Sequence, residues 1–124
     1  MNFGTKIKRD RAVNGLTLED VSKKLNLSVS YLSAIETGSR PPMLEYEQVQ
    51  KLGDALGYDE NGVLDLCYLI LDDDNVKSVP KSICNVIFEN EKKKGIIYGD
   101  AEKNELINEL VKDTKEYVRS EEER

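Results

Sequence analysis

The chain has 124 residues, of which 39% are hydrophobic, 6% are aromatic and none is His or Trp, and its formal net charge is −6. This length suits one domain or one domain with an appendage, and without a His, an activated nucleophile or metal-ligand spacing the sequence predicts no enzyme, no metal and no cofactor. No apolar run approaches the ~18 residues of a membrane span and no signal peptide opens the chain, so we expect a cytoplasmic protein that contacts no membrane.

The first three predicted helices cover about residues 2–13, 18–25 and 29–37. The hydroxyl of Thr17 can cap the second helix, with Asp20 three residues later as partner. Asn26 tolerates the positive φ of a tight turn, Ser28 can cap the third helix, and Gly38 ends it. Two helices joined by so short a turn must cross steeply, which leaves the outer face of the third helix projecting. This is helix-turn-helix geometry, and it fits a DNA major groove.

Two more helices are predicted over 44–56 and 60–71. The second of these is apolar nearly all round, interrupted only by Asp65, so it must be buried on more than one side. Its second partner is either the C-terminal segment or another subunit. Cys67 and Cys84 lie on separate predicted helices and are interpreted as buried free thiols.

Residues 72–124 are predicted to form an extension of the DNA-binding domain. Asp72–Asp74 is interpreted as a solvated linker, since it lacks the alternating ligands and glycine of a calcium loop. Pro80 is placed at the first position of a helix over 81–94, with Ser78 as a possible cap. Residues 96–98 are predicted to be extended or turned, and 101–119 to form an amphipathic helix that needs a partner surface. We expect a DNA-binding domain over 1–71 and an acidic helical extension over 72–124.

The charge of the chain is distributed unevenly between its N-terminal and C-terminal parts. Residues 1–58 hold eight basic and seven acidic residues, a net +1, whereas residues 59–124 hold ten basic and seventeen acidic residues, a net −7. The acidity therefore lies in the extension. A charge of +1 is still small for a DNA binder, so we expect affinity to come from a few positioned groups, doubled by dimerisation.

The pattern I-K-x-x-R, G-L-T-L-E, S-x-x-Y-L-S-x-I-E-x-G-x-R-x-P and L-x-x-A-L-G occurs in this order over about residues 3–58. It resembles the lambda-repressor-like family of Cro, cI and Xre-type helix-turn-helix proteins. The resemblance implies an all-α fold, a five-helix DNA-binding domain followed here by a C-terminal helical extension. Ser22 and Asn26 depart from the Ala and Gly that are common in the family, and both are small enough to be tolerated.

The resemblance also implies roles for individual residues. The side chains expected to reach base edges are those of Val29, Ser30, Ser33 and Ala34. Ser28 and Thr37 are expected near phosphates and Arg40 at the backbone or minor groove. Thr17 is also counted among the DNA-binding residues, and Lys23 is either a phosphate contact or an ordinary surface lysine. Tyr31 either reaches DNA or packs beside the turn. Arg11 and Glu36 are expected to pair and to join the first and third helices. The face lacks the Gln or Asn that usually reads adenine.

We interpret the chain as a sequence-specific DNA-binding regulator at the nucleoid, a repressor that binds a palindromic operator as a homodimer. Dimerisation is assigned to the fifth and last helices, through Leu64, Leu66, Cys67, Leu69, Ile70, Leu106, Leu110 and Tyr117. Two alternatives stay open. One is an antitoxin or other regulatory protein whose C-terminal half binds a partner protein; the other is a protein-binding module that has lost DNA contact. The operator, the sign of regulation and any inducing signal are not encoded in a pattern we can interpret.

Overall fold

The computed structural model describes residues 2–94 and the backbone of residues 116–117. The described part contains six helices and one pair of two-residue strands. The elements are α1 (Phe3–Val13), α2 (Leu18–Leu25), α3 (Val29–Thr37), α4 (Tyr46–Leu56), α5 (Glu60–Asp72), β1 (Ser78–Val79), α6 (Lys81–Lys93) and β2 (Glu116–Tyr117). The fold is all-α, as predicted, and none of the described helices has the length and apolar character needed to cross a bilayer.

The turn between α2 and α3 is built by its capping residues. Thr17 Oγ1 accepts from the backbone N–H of Asp20 at 3.0 Å, and the Asp20 carboxylate accepts from the backbone N–H of Thr17 at 2.9 Å. Asn26 ends α2 with φ of 55°, and Ser28 caps α3 by accepting from Tyr31 N at 3.1 Å. Gly38 then ends α3 with φ of 82°, a left-handed conformation that costs glycine little. These contacts fix where both helices begin and end.

One hydrophobic core runs through all six helices. It includes Phe3 and Ile7 of α1, which are buried together with Leu32 and Ile35 of α3. The same cluster continues past α5 into Val76, Val79, Ile83, Cys84 and Ile87. The division into domains after residue 71 stays a prediction, but apolar side chains on both sides of it belong to one core. Cys67 and Cys84 are both buried, as predicted.

Three sequence predictions about the C-terminal region need correction. Pro80 precedes α6 as its N-cap with ψ of 141°, an extended conformation, and Ser78 lies in β1 instead of capping the helix. The helix predicted over 101–119 is wrong at residues 116–117, which pair in parallel with Ser78 and Val79. Local periodicity could not anticipate a pairing with residues so distant in the sequence. Residues 95–115, including the extended piece at 96–98, lie outside the described residues.

The fifth helix is buried within its own chain. Leu66, Cys67 and Ile70 are 0% exposed, because α5 packs against α1, α4 and α6. Their assignment to a dimer contact is therefore wrong, since these side chains already fill the core. Leu64 and Leu69 remain partly exposed. Leu106, Leu110 and the side chain of Tyr117 lie outside the described residues.

Helix α6 also supplies a cap to α4. Ser82 Oγ donates to the Glu45 carboxylate at 2.7 Å and accepts from the backbone N–H of Tyr46 at 2.9 Å. The Gln48 side chain accepts from Glu45 N at 3.0 Å and donates to the carbonyl of Leu25, also at 3.0 Å. The beginning of α4 is thus bonded to α6 on one side and to the end of α2 on the other.

Replacement of Ser82 by Ala is expected to lower the free energy of unfolding by about 1 kcal/mol, because the first turn of α4 loses a side-chain acceptor and Glu45 loses a donor. Chemical denaturation of the full chain measures the change. Ser30→Ala is the matched control: it removes a hydroxyl from an exposed helical position, and we expect it to stay within about 0.5 kcal/mol of the parent. Equal stabilities of the Ser82 and Ser30 variants would contradict a cap supplied by α6.

Candidate nucleic-acid interface

Helix α3 has one buried face and one open face. Leu32, Ile35 and Glu36 point into the domain and are 0%, 2% and 7% exposed. On the other face Val29, Ser30 and Thr37 are exposed, and Ser33 and Ala34 are partly exposed. The structure therefore brings the residues predicted to reach base edges together on one projecting surface, which we call the reading face: Val29, Ser30, Ser33, Ala34 and Thr37.

An ion pair joins the buried face of α3 to α1. Arg11 Nε donates to one oxygen of Glu36 at 2.7 Å and Arg11 Nη2 to the other at 2.9 Å. A third donor, Arg11 Nη1, bonds the carbonyl of Leu16 at 2.8 Å in the loop before α2. The Glu36 carboxylate raises the pKa of the Arg11 guanidinium above its ordinary value. This bidentate geometry fixes the rotation of α3 about its own axis relative to α1.

A close backbone contact accompanies the pair. Gly4 of α1 lies against the last turns of α3, and a Cβ at this position would stand 2.2 Å from the carbonyl oxygen of Ile35. Only glycine permits this approach, because the obstructing atom is backbone and has little freedom to move. The backbones of α1 and α3 are therefore in near contact at Gly4, which is closer than the predicted Arg11–Glu36 pair alone requires.

Tyr31 packs beside the turn that follows α3. Its hydroxyl donates to the carbonyl of Pro41 at 3.2 Å and accepts from the backbone N–H of Met43 at 3.3 Å. The guanidinium of Arg40 lies 5.9 Å from the centre of the Tyr31 ring. Of the two roles left open for Tyr31, its contacts are those of the packing role.

A shallow hollow adjoins the reading face. It has a volume of about 320 Å³ and is lined by Ser28, Ser30, Tyr31, Ala34 and Arg40. Ser28, the N-cap of α3, is one of these lining residues, and its hydroxyl accepts from the backbone N–H of Tyr31. Arg40 is exposed and supplies the positive charge. Backbone N–H groups at a helix start beside a guanidinium are suited to a phosphate oxygen.

The remaining predicted contacts lie on α2. Thr17 stands at its beginning and Lys23 in its last turn, and both side chains are exposed. Thr17 already uses its hydroxyl as an acceptor in the capping box. One side chain that the sequence analysis missed is Ser39, whose hydroxyl lies 3.3 Å from that of Thr37 and is exposed. The sequence feature that could have predicted the position of Ser39 is Gly38, because a left-handed turn at this glycine brings the next residue back towards the end of α3.

The family comparison agrees with this geometry. Residues 2–66, slightly more than half of the chain, match the family model described as a helix-turn-helix domain. The chain belongs to this family, which is consistent with the lambda-repressor-like resemblance. No curated protein and no solved structure matched the chain. Membership assigns the chain DNA binding and regulation of transcription, in a family that is typically not enzymatic.

Removing one partner of the Arg11–Glu36 pair is expected to destabilise the fold strongly. The Glu36 side chain is 4% exposed, so Arg11→Met leaves a buried carboxylate without its counter-ion at a cost of about 3 kcal/mol. The single variant Glu36→Leu is the second arm of the experiment. We expect the double variant Arg11→Met/Glu36→Leu to lose clearly less free energy of unfolding than the sum of the losses in the two single variants, because the double variant leaves no charge buried. Denaturant unfolding of the parent, the two single variants and the double variant measures the coupling free energy between Arg11 and Glu36.

An exposed ion pair in the same chain serves as the control. Lys51 and Glu47 are 3.2 Å apart with side chains 51% and 77% exposed. Lys51→Met is expected to change the free energy of unfolding by less than about 0.5 kcal/mol, since solvent screens such pairs. If Arg11→Met proved no more destabilising than Lys51→Met, the ion pair would not be what holds α3 in place.

Proposed function

We propose that the protein is a sequence-specific repressor of transcription that binds a palindromic operator as a homodimer. The observation that carries the proposal is the reading face, an open surface on a helix whose opposite side is fixed by the bidentate Arg11–Glu36 pair. A helix that projects from a rigid base can enter a major groove at a defined angle. Occupation of a promoter by two such helices would exclude polymerase.

The chemistry of the face suggests how bases are recognised. Ser30 and Ser33 can donate to or accept from base edges, and Val29 and Ala34 can contact thymine methyl groups. Since hydroxyls bond several bases, recognition is expected to depend on van der Waals contact, bridging water and DNA shape as well. Ser28, Thr37 and Arg40 are the proposed phosphate contacts, and Thr17 and Lys23 extend the contact along the backbone.

A dimer is proposed because one reading face carries few contacts. Two recognition helices about 34 Å apart would meet successive major grooves on one side of the duplex and read a two-fold symmetric site. Of the α5 residues assigned to the dimer contact, Leu64 and Leu69 remain partly exposed. Leu106, Leu110 and Tyr117 complete the proposed dimer contact.

A second candidate function is a regulatory protein, such as an antitoxin, that binds a partner protein. One observation favours it: an open groove of about 590 Å³ lies between α4, α5 and α6, with Tyr46, Leu64 and Val86 among its lining residues. Its rim carries charged and amide side chains, as a protein-binding surface often does. Affinity purification from the native host would test it, because a stoichiometric protein partner is expected only under this function.

DNA binding is tested by selecting duplexes from a random-sequence pool with the purified full chain. We expect a two-fold symmetric consensus. The double variant Ser30→Glu/Ser33→Glu should bind that duplex about a hundredfold more weakly, because two carboxylates replace groove contacts and repel phosphates. The control Thr5→Glu/Ala12→Glu adds the same charge at exposed positions of α1 outside the reading face and should lose little. Selection of no duplex, or equal losses in both variants, would rule out this reading face.

Assembly is tested by sedimentation equilibrium at micromolar concentration. We expect a dimeric mass, and Leu64→Glu/Leu69→Glu should shift the protein towards the monomer, because each change introduces a charge into the proposed apolar contact. The Thr5→Glu/Ala12→Glu variant again serves as the control for charge and should sediment as the parent does, because neither residue lies in the proposed contact. A monomeric parent at this concentration would contradict the homodimer.

A further inference from the structure

A run of carboxylates lies close to the proposed DNA contacts. The last residue of α5, Asp72, and the first two residues after the helix, Asp73 and Asp74, form a segment that we call the carboxylate loop; Asp72 and Asp74 are exposed and Asp73 is partly exposed. The loop has a defined conformation, because Asp73 Oδ1 accepts from the backbone N–H of Asn75 at 2.8 Å. The sequence alone predicts a solvated linker here, with no function assigned to it.

The carboxylate loop faces the end of the recognition helix. It lines a hollow of about 190 Å³ that is also lined by Ile35 and Gly38, near the end of α3, and by Arg40. Arg40 and the three carboxylates thus line the same hollow. Charges that lie within the Debye length, ~10 Å at 0.1 M salt, act on each other with limited screening.

Arg40 stands between two hollows. On one side it lines the hollow shared with Ser28 and Ser30 on the reading face, and on the other it lines the hollow shared with the carboxylate loop. A phosphate that approached Arg40 would come under the attraction of the guanidinium and the repulsion of the loop together. The family match, which ends at residue 66, does not extend to the loop.

We propose that the loop Asp72–Asp74 limits the affinity of the helix-turn-helix for DNA by placing negative charge beside Arg40. The inference rests on the proposed function and adds to it a residue set that tunes binding strength. The repulsion acts on phosphates and is therefore independent of sequence. Its effect is to lower binding to all DNA, so that only sites that also make base contacts are occupied.

The test neutralises the loop and measures binding. The triple variant Asp72→Asn/Asp73→Asn/Asp74→Asn is compared with the parent on the selected duplex and on a scrambled duplex of the same length. We expect it to bind both at least about fivefold more tightly at about 0.1 M salt, and the gain to shrink towards none at about 0.5 M, because screening removes the repulsion. Asn at position 73 retains an oxygen that can accept from Asn75 N.

Two further proteins keep the result interpretable. The control Asp54→Asn/Asp65→Asn/Glu89→Gln makes the same change in net charge at exposed positions on α4, α5 and α6 that do not line the hollow. Its affinity for the duplexes should rise by less than about twofold, since the neutralised side chains lie outside the hollow that Arg40 lines. The double variant Asp72→Asn/Asp74→Asn leaves the turn at Asp73 unchanged. Its affinity for both duplexes should lie between the affinities of the parent and of the triple variant.

The outcomes separate the two proposals. A parent that binds the selected duplex, with triple and control variants that gain equally or not at all, would overturn the role of the loop and leave DNA recognition standing. A parent that binds no duplex would overturn the proposed function and this inference with it. A gain confined to the loop variants and lost at high salt would support both.

Discussion

The buried carboxylate of Glu36 is the constraint on which the rest of the structure depends. A charge removed from water must be paired, and Arg11 is the residue that pairs with it. Because the pairing is bidentate and Arg11 also bonds the carbonyl of Leu16, one guanidinium joins α1, α3 and the loop before α2. The contact at Gly4 brings α1 and α3 into near backbone contact at the same place. The direction in which α3 projects is thus set by groups on the side of the helix opposite the reading face.

The second source of rigidity is the contact between α6 and α4. The family model ends at residue 66, yet Ser82 bonds both Glu45 and the first backbone N–H of α4. Helix α4 in turn holds the carbonyl of Leu25 through Gln48, at the end of α2. A chain of hydrogen bonds therefore runs from α6 through the beginning of α4 to the helix-turn-helix. In this protein α6 is part of the scaffold that supports the reading face.

The sequence predicted features set by local chemistry. Caps at Thr17 and Ser28, the left-handed turn at Asn26 and the end of α3 at Gly38 follow from single residues in known positions. It failed where the deciding contact is distant: nothing near residues 116–117 encodes their pairing with Ser78 and Val79. The apolar character of α5 predicted burial on several sides, but periodicity could not distinguish α6 from a second subunit as the covering surface. Leu66, Cys67 and Ile70 were therefore assigned to the wrong partner.

Low charge and small reading side chains make positioning more important than it would be in a strongly basic protein. A chain with many lysines can bind DNA in several orientations, since each phosphate contact adds affinity independently of register. With a net charge of +1 over residues 1–58, little nonspecific attraction is available to compensate for a misplaced helix. Hydroxyl and methyl contacts are short-ranged and are lost if the helix moves by an ångström or so. Fixed positioning of α3 therefore compensates for the low surface charge. It is provided by the Arg11–Glu36 pair, the Gly4 contact and the capped helix ends.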